Sequence, residues 1–171
     1  MNNITFNFFE HLDMNNEKVS EENILEFEKK YSFSLPEDYK KLLLIYNGGY
    51  FSSSVKIDEK YYDSINSYSE KTHINEFYSL QEIIEIFEND SIDEEDKFYS
   101  EKIIPNKLVP IAVDYSSIFR FYIGAGDNNQ GKVYSYDHQL EYSKKGDELK
   151  CLCNSFTDFI SGFMITVEDI A

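Results

Sequence analysis

The chain has 171 residues, of which 42% are hydrophobic and 16% aromatic, with 14 Tyr, 14 Phe and no Trp. This size and composition allow a buried core without disulfides, which argues against a disordered chain and predicts a single domain over residues 1–171. The net charge of −16, from 32 acidic and 16 basic residues, repels nucleic-acid phosphates and anionic membranes and attracts basic proteins. The same charge also keeps a protein soluble, and charge alone favours that simpler explanation.

The cysteines and the N-terminus indicate a reducing compartment. Cys151 and Cys153 are one residue apart, which is a poor spacing for a stabilising disulfide. The N-terminal sequence MNNITFNFFEHL lacks the basic region and long apolar core of a signal peptide. The sequence contains no run of about 18 apolar residues, which is the length needed to span a membrane. We therefore expect a cytoplasmic protein without a membrane segment.

Two helices are predicted in the first third of the chain. Ser20 is a preferred N-cap, and apolar residues at helical spacing extend the first helix to Tyr31. The stretch LPEDYKKLLLIYNGG, residues 35–49, predicts the second, with Pro36 at its first helical position because its φ is already helical. One apolar face of this helix is expected to lie in the core: Tyr39, Leu42, Leu43 and Tyr46.

The sequence Asn47-Gly48-Gly49 predicts the end of the second helix, because Asn and Gly tolerate the left-handed conformation found at helix C-termini. We expect it to be a structural stop. Residues 50–57 then predict a strand broken by a turn, and residues 58–72 a long polar excursion. A short helix over Leu80–Phe87 begins with Ser79-x-x-Glu82, the spacing of a capping box.

The acidic segment Asp90–Asp96 follows this short helix. Between Glu82 and Asp96 there are eight acidic residues and no basic one. A solvated loop explains such a run. The alternative is a surface that binds a cationic partner, with Phe87 and Phe98-Tyr99 as apolar anchors.

The second half of the chain predicts a sheet and a closing helix. Leu108–Val113, Phe119–Ile123 and Lys132–Tyr136 have strand patterns, and Gly124–Gly131 is a hairpin loop. Ser155 caps a last helix. Strands in the middle with helices at both ends predict an α+β fold, with a mainly antiparallel central sheet, helices packed on one face, two N-terminal helices and one C-terminal helix.

The motifs of catalysis and cofactor binding are incomplete. Gly124-Ala125-Gly126 has no third Gly at position 129 and precedes a strand, so it is not a dinucleotide fingerprint. Residues 127–131 miss the spacing of a calcium loop. The pair Cys151-x-Cys153 lacks further metal ligands, and the three His residues are scattered. We expect a protein with no enzymatic activity, no cofactor and no metal.

Four segments in their order resemble the SUKH superfamily, which includes a fungal cell-wall-synthesis regulator and bacterial immunity proteins. The segments are SEENILEFEKKY (20–31), LPEDYKKLLLIYNGG (35–49), LVPIAVD (108–114), and VYSYDH (133–138) with SFTDFISGF (155–163). The signature positions are Leu35, Pro36, Tyr39, Asn47, Gly48 and Gly49. The family often has a Gly-rich turn after Ala-Asp, where this chain has Tyr115-Ser116-Ser117. Asp58–Glu76 and Asp90–Asn106 are expected to be insertions.

The resemblance implies a non-catalytic domain that binds and neutralises a cognate toxin, possibly a nuclease. A regulatory or scaffold module that binds cellular proteins is the alternative. Nuclease toxins are commonly basic, so the expected partner is a basic toxin domain that an acidic surface would attract. We expect the acidic segment, with exposed carboxylates near Asp114 and Asp127, to form the binding surface. The candidate residues are Asp90, Asp93, Glu94, Glu95, Asp96, Asp114 and Asp127.

Overall fold

The computed structural model describes residues 12–13, 17–57, 73–89, 103, 105–114, 119–137, 149–161 and 163–165. Four helices and eight strands lie in these ranges. The helices are α1 (Glu21–Tyr31), α2 (Glu37–Tyr46), α3 (Leu80–Asn89) and α4 (Phe156–Ser161). The strands are β1 (Leu12–Asp13), β2 (Gly49–Ile57), β3 (His73–Phe77), β4 (Leu108–Asp114), β5 (Phe119–Gly124), β6 (Val133–Asp137), β7 (Leu149–Cys153) and β8 (Phe163–Ile165).

The described strands form one antiparallel sheet in the order β1 to β7, and β8 pairs with the second half of β2. The α+β prediction, with two N-terminal helices and one C-terminal helix, is confirmed. β2 is one continuous strand rather than a broken one, although its register against β3 shifts between Tyr50 and Val55.

The predicted caps form because they depend on local spacing. The Ser20 hydroxyl accepts a hydrogen bond from the Asn23 N–H at 3.2 Å, and the Asn23 side chain accepts one from the Ser20 N–H at 3.0 Å. At the start of α3, the Glu82 N–H donates to the Ser79 hydroxyl at 3.2 Å, and the Ser79 N–H donates to the Glu82 carboxylate at 2.6 Å. Each pair satisfies backbone N–H groups that a helix start leaves without partners.

Helix α2 begins at Glu37, one residue after the predicted start, so Pro36 is the N-cap residue. Its φ of −60° is helical, but its ψ of 141° is extended. The predicted core face is buried at Tyr39, Leu42 and Leu43, and Tyr46 is partly buried. Leu35 is also buried, and its N–H donates to the Glu28 carboxylate at 2.7 Å.

Helix α4 defines the two faces of the sheet. The ring centroid of Phe156 lies 5.1 Å from that of Tyr39 in α2 and 6.2 Å from that of Phe77 in β3. The ring centroids of Phe159 and Phe121 of β5 are 5.6 Å apart. Side chains alternate between faces along a strand. The neighbours of Phe77 and Phe121 therefore point to the opposite face, which we call the second face.

Helices α2 and α4 are joined through Asp38. Its carboxylate accepts hydrogen bonds from the Thr157 N–H and hydroxyl, both at 3.0 Å. Asp38 lies in the first turn of α2, and Thr157 lies in the first turn of α4. A negative charge is favourable at the N-terminus of each helix, so one carboxylate stabilises both helix starts.

One predicted insertion contains a strand of the sheet. The range Asp58–Glu76 was expected to lie outside the family pattern, but His73–Phe77 forms β3 between β2 and β4. No strand was predicted at residues 73–77, because HINEF is short and has only two strongly apolar residues. The interpretation of the range as an insertion stays a prediction. Residues 58–72 and the acidic segment lie outside the described residues.

Candidate partner-binding surface

Asp114 is not an exposed carboxylate. Its residue exposure is 4%, and its Oδ1 atom accepts a hydrogen bond from the Phe119 N–H at 2.9 Å. Asp114 ends β4 and Phe119 begins β5, so this bond fixes the start of the next strand. The expected exposure of Asp114 is therefore wrong, because its carboxylate is used inside the fold, and its partner-binding role stays a prediction.

Asp127 is exposed in the predicted hairpin loop between β5 and β6. The loop is held by Asn129, whose side chain accepts from the Gly126 N–H at 3.0 Å and donates to the Asn106 carbonyl at 2.6 Å. Gln130 adds a bond from its amide to the Ser34 carbonyl at 2.8 Å. Asp127 is thus presented by a fixed loop and is available to a partner, and its binding role stays a prediction.

A groove of about 450 Å³ adjoins Asp127. Tyr134 and Leu149 contribute to it from the sheet, and Lys107 lines it from the turn before β4. The positive charge of Lys107 partly offsets the negative charge of Asp127. This groove therefore offers shape and aromatic surface but little net negative charge.

The signature residues Asn47 and Gly48 fix a corner where α2, β3 and α3 meet, which we call the Asn47 corner. Asn47 ends α2 in the left-handed conformation, with φ 46° and ψ 49°. Its side chain accepts from the Leu80 N–H at 2.9 Å and donates to the Glu17 carbonyl at 2.7 Å. The sequence predicts only a helix stop here, whereas the side chain also satisfies the first N–H of α3.

Sequence analysis missed a carboxylate and a tyrosine beside this corner. Glu76 of β3 is partly buried, and it pairs across the strands with Tyr50, whose hydroxyl donates a hydrogen bond to it. Burial raises the pKa of Glu76, and the negative charge of Glu82 raises it further, while the bond from Tyr50 opposes the shift. No sequence motif could reveal this pair, because its partners are 26 residues apart and meet only through strand register.

The described residues contain no group of three His, Cys, Asp or Glu side chains that could hold a metal ion. Burial raises the pKa of the Cys153 thiol to about 12, so the reactive thiolate is disfavoured at neutral pH. Within the same residues, each helix is too short or too polar to cross a lipid bilayer.

These features define an α+β domain with a single antiparallel sheet and a carboxylate-rich surface. The chain belongs to the SMI1 / KNR4 family (SUKH-1), whose family model matches residues 18–162. It is also similar to the SPbeta prophage-derived uncharacterized protein YokK of Bacillus subtilis (strain 168). The two are 28% identical over 155 residues, which covers 81% of this chain and 71% of that protein. The resemblance predicted from the four sequence segments is confirmed.

Proposed function

We propose that the chain is a cytoplasmic immunity protein that binds a cognate polymorphic toxin and neutralises it by forming a stoichiometric complex. Membership of the SUKH-1 family carries this proposal, because the family resemblance implies a protein-binding domain with toxin neutralisation as a common role. The prophage origin of the relative adds support, since a mobile element can carry a toxin gene and its immunity gene together.

Charge suggests the nature of the toxin. The chain has 32 carboxylates and 16 Lys or Arg residues, so half of the carboxylates cannot pair one-to-one with a cation of the same chain. Among the described residues, Lys40 forms salt bridges with both Glu28 and Glu37, and Lys30 forms one with Glu88. A nuclease domain needs a basic surface to hold phosphates, and an acidic inhibitor would associate with such a surface rapidly. A basic nuclease toxin is therefore the proposed partner.

The proposal is tested by searching the neighbouring reading frames for a toxin-like domain and co-expressing that domain with the chain. We expect the chain to restore growth of cells that produce the toxin domain and to form a complex of fixed stoichiometry with a catalytically inactive toxin variant. Growth measures protection, and light scattering after gel filtration measures the stoichiometry. If neither protection nor a complex is observed, the immunity proposal fails and the regulatory or scaffold alternative gains support.

The acidic segment is proposed to steer this association. Replacing Asp93, Glu94, Glu95 and Asp96 with Asn or Gln should lower the association rate for the toxin domain and weaken its dependence on salt. The reason is that exposed charges act over about 8–10 Å before salt screens them. Stopped-flow measurements at low and high salt check this prediction. Equal association rates for both proteins at low salt would show that the segment has no steering role.

A further inference from the structure

Tyr50 is an exposed aromatic residue on the second face of the sheet. It follows Gly49 at the start of β2, and 51% of its surface is exposed. The next residue, Phe51, contacts Phe77 at 5.9 Å on the face packed by α4, so strand alternation directs Tyr50 to the second face. A large aromatic side chain left in solvent there is available to a partner.

Carboxylates lie on both sides of Tyr50. Asp13 of β1 is its cross-strand partner on one side, and Glu76 of β3 is its partner on the other. Asp13 is exposed. Directly opposed residues of an antiparallel pair lie on the same face with their side chains about 5 Å apart. Asp13, Tyr50 and Glu76 therefore form a cross-strand row, and with the nearby Glu82 we call them the Tyr50 surface.

The negative charge of Glu82 acts on two members of the Tyr50 surface. Glu82 raises the pKa of Glu76 and contributes to the raised pKa of Tyr50, for which the hydrogen bond to Glu76 is the main cause. Arg120 of β5 lies on the same face and hydrogen-bonds Tyr78. An added cation would relieve the repulsion between the carboxylates.

The fold holds this surface in a fixed geometry. Glu82 is held by the capping box with Ser79, and Gly48 lies so close to β3 that an added Cβ would meet the backbone of residues 77–79. The Asn47 corner thus fixes the start of β2 against the junction of β3 and α3. A surface ordered before binding loses less entropy when a partner docks.

We propose that the Tyr50 surface takes up an arginine or lysine side chain of the basic toxin partner. This inference rests on the proposed function and identifies where the toxin docks. The face of a tyrosine ring attracts a cation, carboxylates form charge-assisted hydrogen bonds with Arg or Lys, and Tyr is enriched among residues that dominate binding energy. Two grooves among the described residues already carry cations of their own: Lys107 lines the groove beside Asp127, and Lys40 and Lys41 line the groove between α1 and α2.

The first test measures binding of the inactive toxin domain by calorimetry. Tyr50→Ala should weaken the Kd about 30-fold, the effect of a binding hot spot worth about 2 kcal/mol. Tyr50→Phe keeps the ring and should stay within about fivefold of the parent. The double variant Asp13→Asn, Glu76→Gln should weaken binding about 10-fold or more and reduce its salt dependence.

The matched controls lie on α1. Leu25→Ala removes another exposed apolar side chain, 61% exposed, and Glu22→Gln removes another exposed carboxylate. Both should bind the toxin domain like the parent. Thermal unfolding by circular dichroism verifies that each variant is folded. If folded Tyr50→Ala binds as tightly as Leu25→Ala does, the proposed docking surface is wrong even though the immunity function stands.

A second test does not depend on the toxin. N-acetyl-arginine amide is titrated into the parent protein and followed by NMR. We expect chemical-shift changes centred on Tyr50 and Glu76 that the double variant lacks. If the parent fails to bind the toxin domain, the proposed function fails and this titration decides the surface alone: localised shifts support it, and their absence overturns it.

Discussion

Replacing Gly48 with alanine is expected to destabilise the protein by more than about 4 kcal/mol, which is exceptional for a single substitution. Two costs add. Gly48 has φ 78°, a left-handed value that costs an L-residue roughly 1–2 kcal/mol. The new Cβ would also lie 2.6 Å from the Phe77 carbonyl oxygen and closer still to the Ser79 nitrogen. These are backbone atoms of β3 and the start of α3, so relief requires the Asn47 corner to open.

Gly131 provides the matched control for Gly48. It has the same φ of 78°, but the nearest atom to an added Cβ is the Asn154 carbonyl oxygen at 3.8 Å, an ordinary contact. Gly131→Ala should therefore cost only the left-handed term of roughly 1–2 kcal/mol. Urea unfolding of both variants measures the difference. Equal losses at the two positions would mean that the corner can relax and that its close packing adds no stability.

Replacing Leu43 with alanine is expected to lower the free energy of unfolding by about 2–5 kcal/mol, as truncation of buried Leu does. Leu43 has no exposed surface and lies on the core face of α2 with Tyr39 and Leu42. The cost combines the lost burial of three methyl or methylene groups with the cavity that remains.

Ile45→Ala is the corresponding control, because Ile45 lies on the same helix and is 56% exposed. It should change the free energy of unfolding by about 0.5 kcal/mol or less, the usual range for surface positions. Chemical unfolding followed by circular dichroism compares the two. A Leu43 variant as stable as the Ile45 variant would mean that the core face of α2 has been misassigned.

Local features of the fold could be predicted from the sequence because they depend on residues a few positions apart. The caps at Ser20 and Ser79 and the end of α2 at Asn47 follow from such spacing, and each forms. The start of α2 differs by one residue because φ of Pro36 is helical but ψ is not. Propensity at position 36 does not fix ψ, which follows from the path of the preceding chain.

The candidate binding surface was harder to predict because it depends on strand pairing. Asp114 was expected to be exposed, but its carboxylate accepts a hydrogen bond from the Phe119 N–H across the β4–β5 connection. Tyr50 lies between two carboxylates only because β1 and β3 pair on either side of β2. Because the sequence of β3 has a weak strand pattern, its position between β2 and β4 was not predicted. The position of Glu76 beside Tyr50 was therefore not predicted either. Only the exposure of Asp127 agreed with expectation among the described candidates.

The bond between Asp38 and Thr157 has a consequence for synthesis of the protein on the ribosome. It joins positions 119 residues apart, and β2 pairs with β8 near the other end of the chain. Helix α2 therefore emerges early, but the Asp38 carboxylate lacks its Thr157 partner until α4 has been synthesised. Contacts of such long separation slow folding. A nascent chain halted before residue 156 would lack α4, leaving Tyr39 and Phe77 without the ring of Phe156. We therefore expect native structure to appear only after residue 165 has been synthesised.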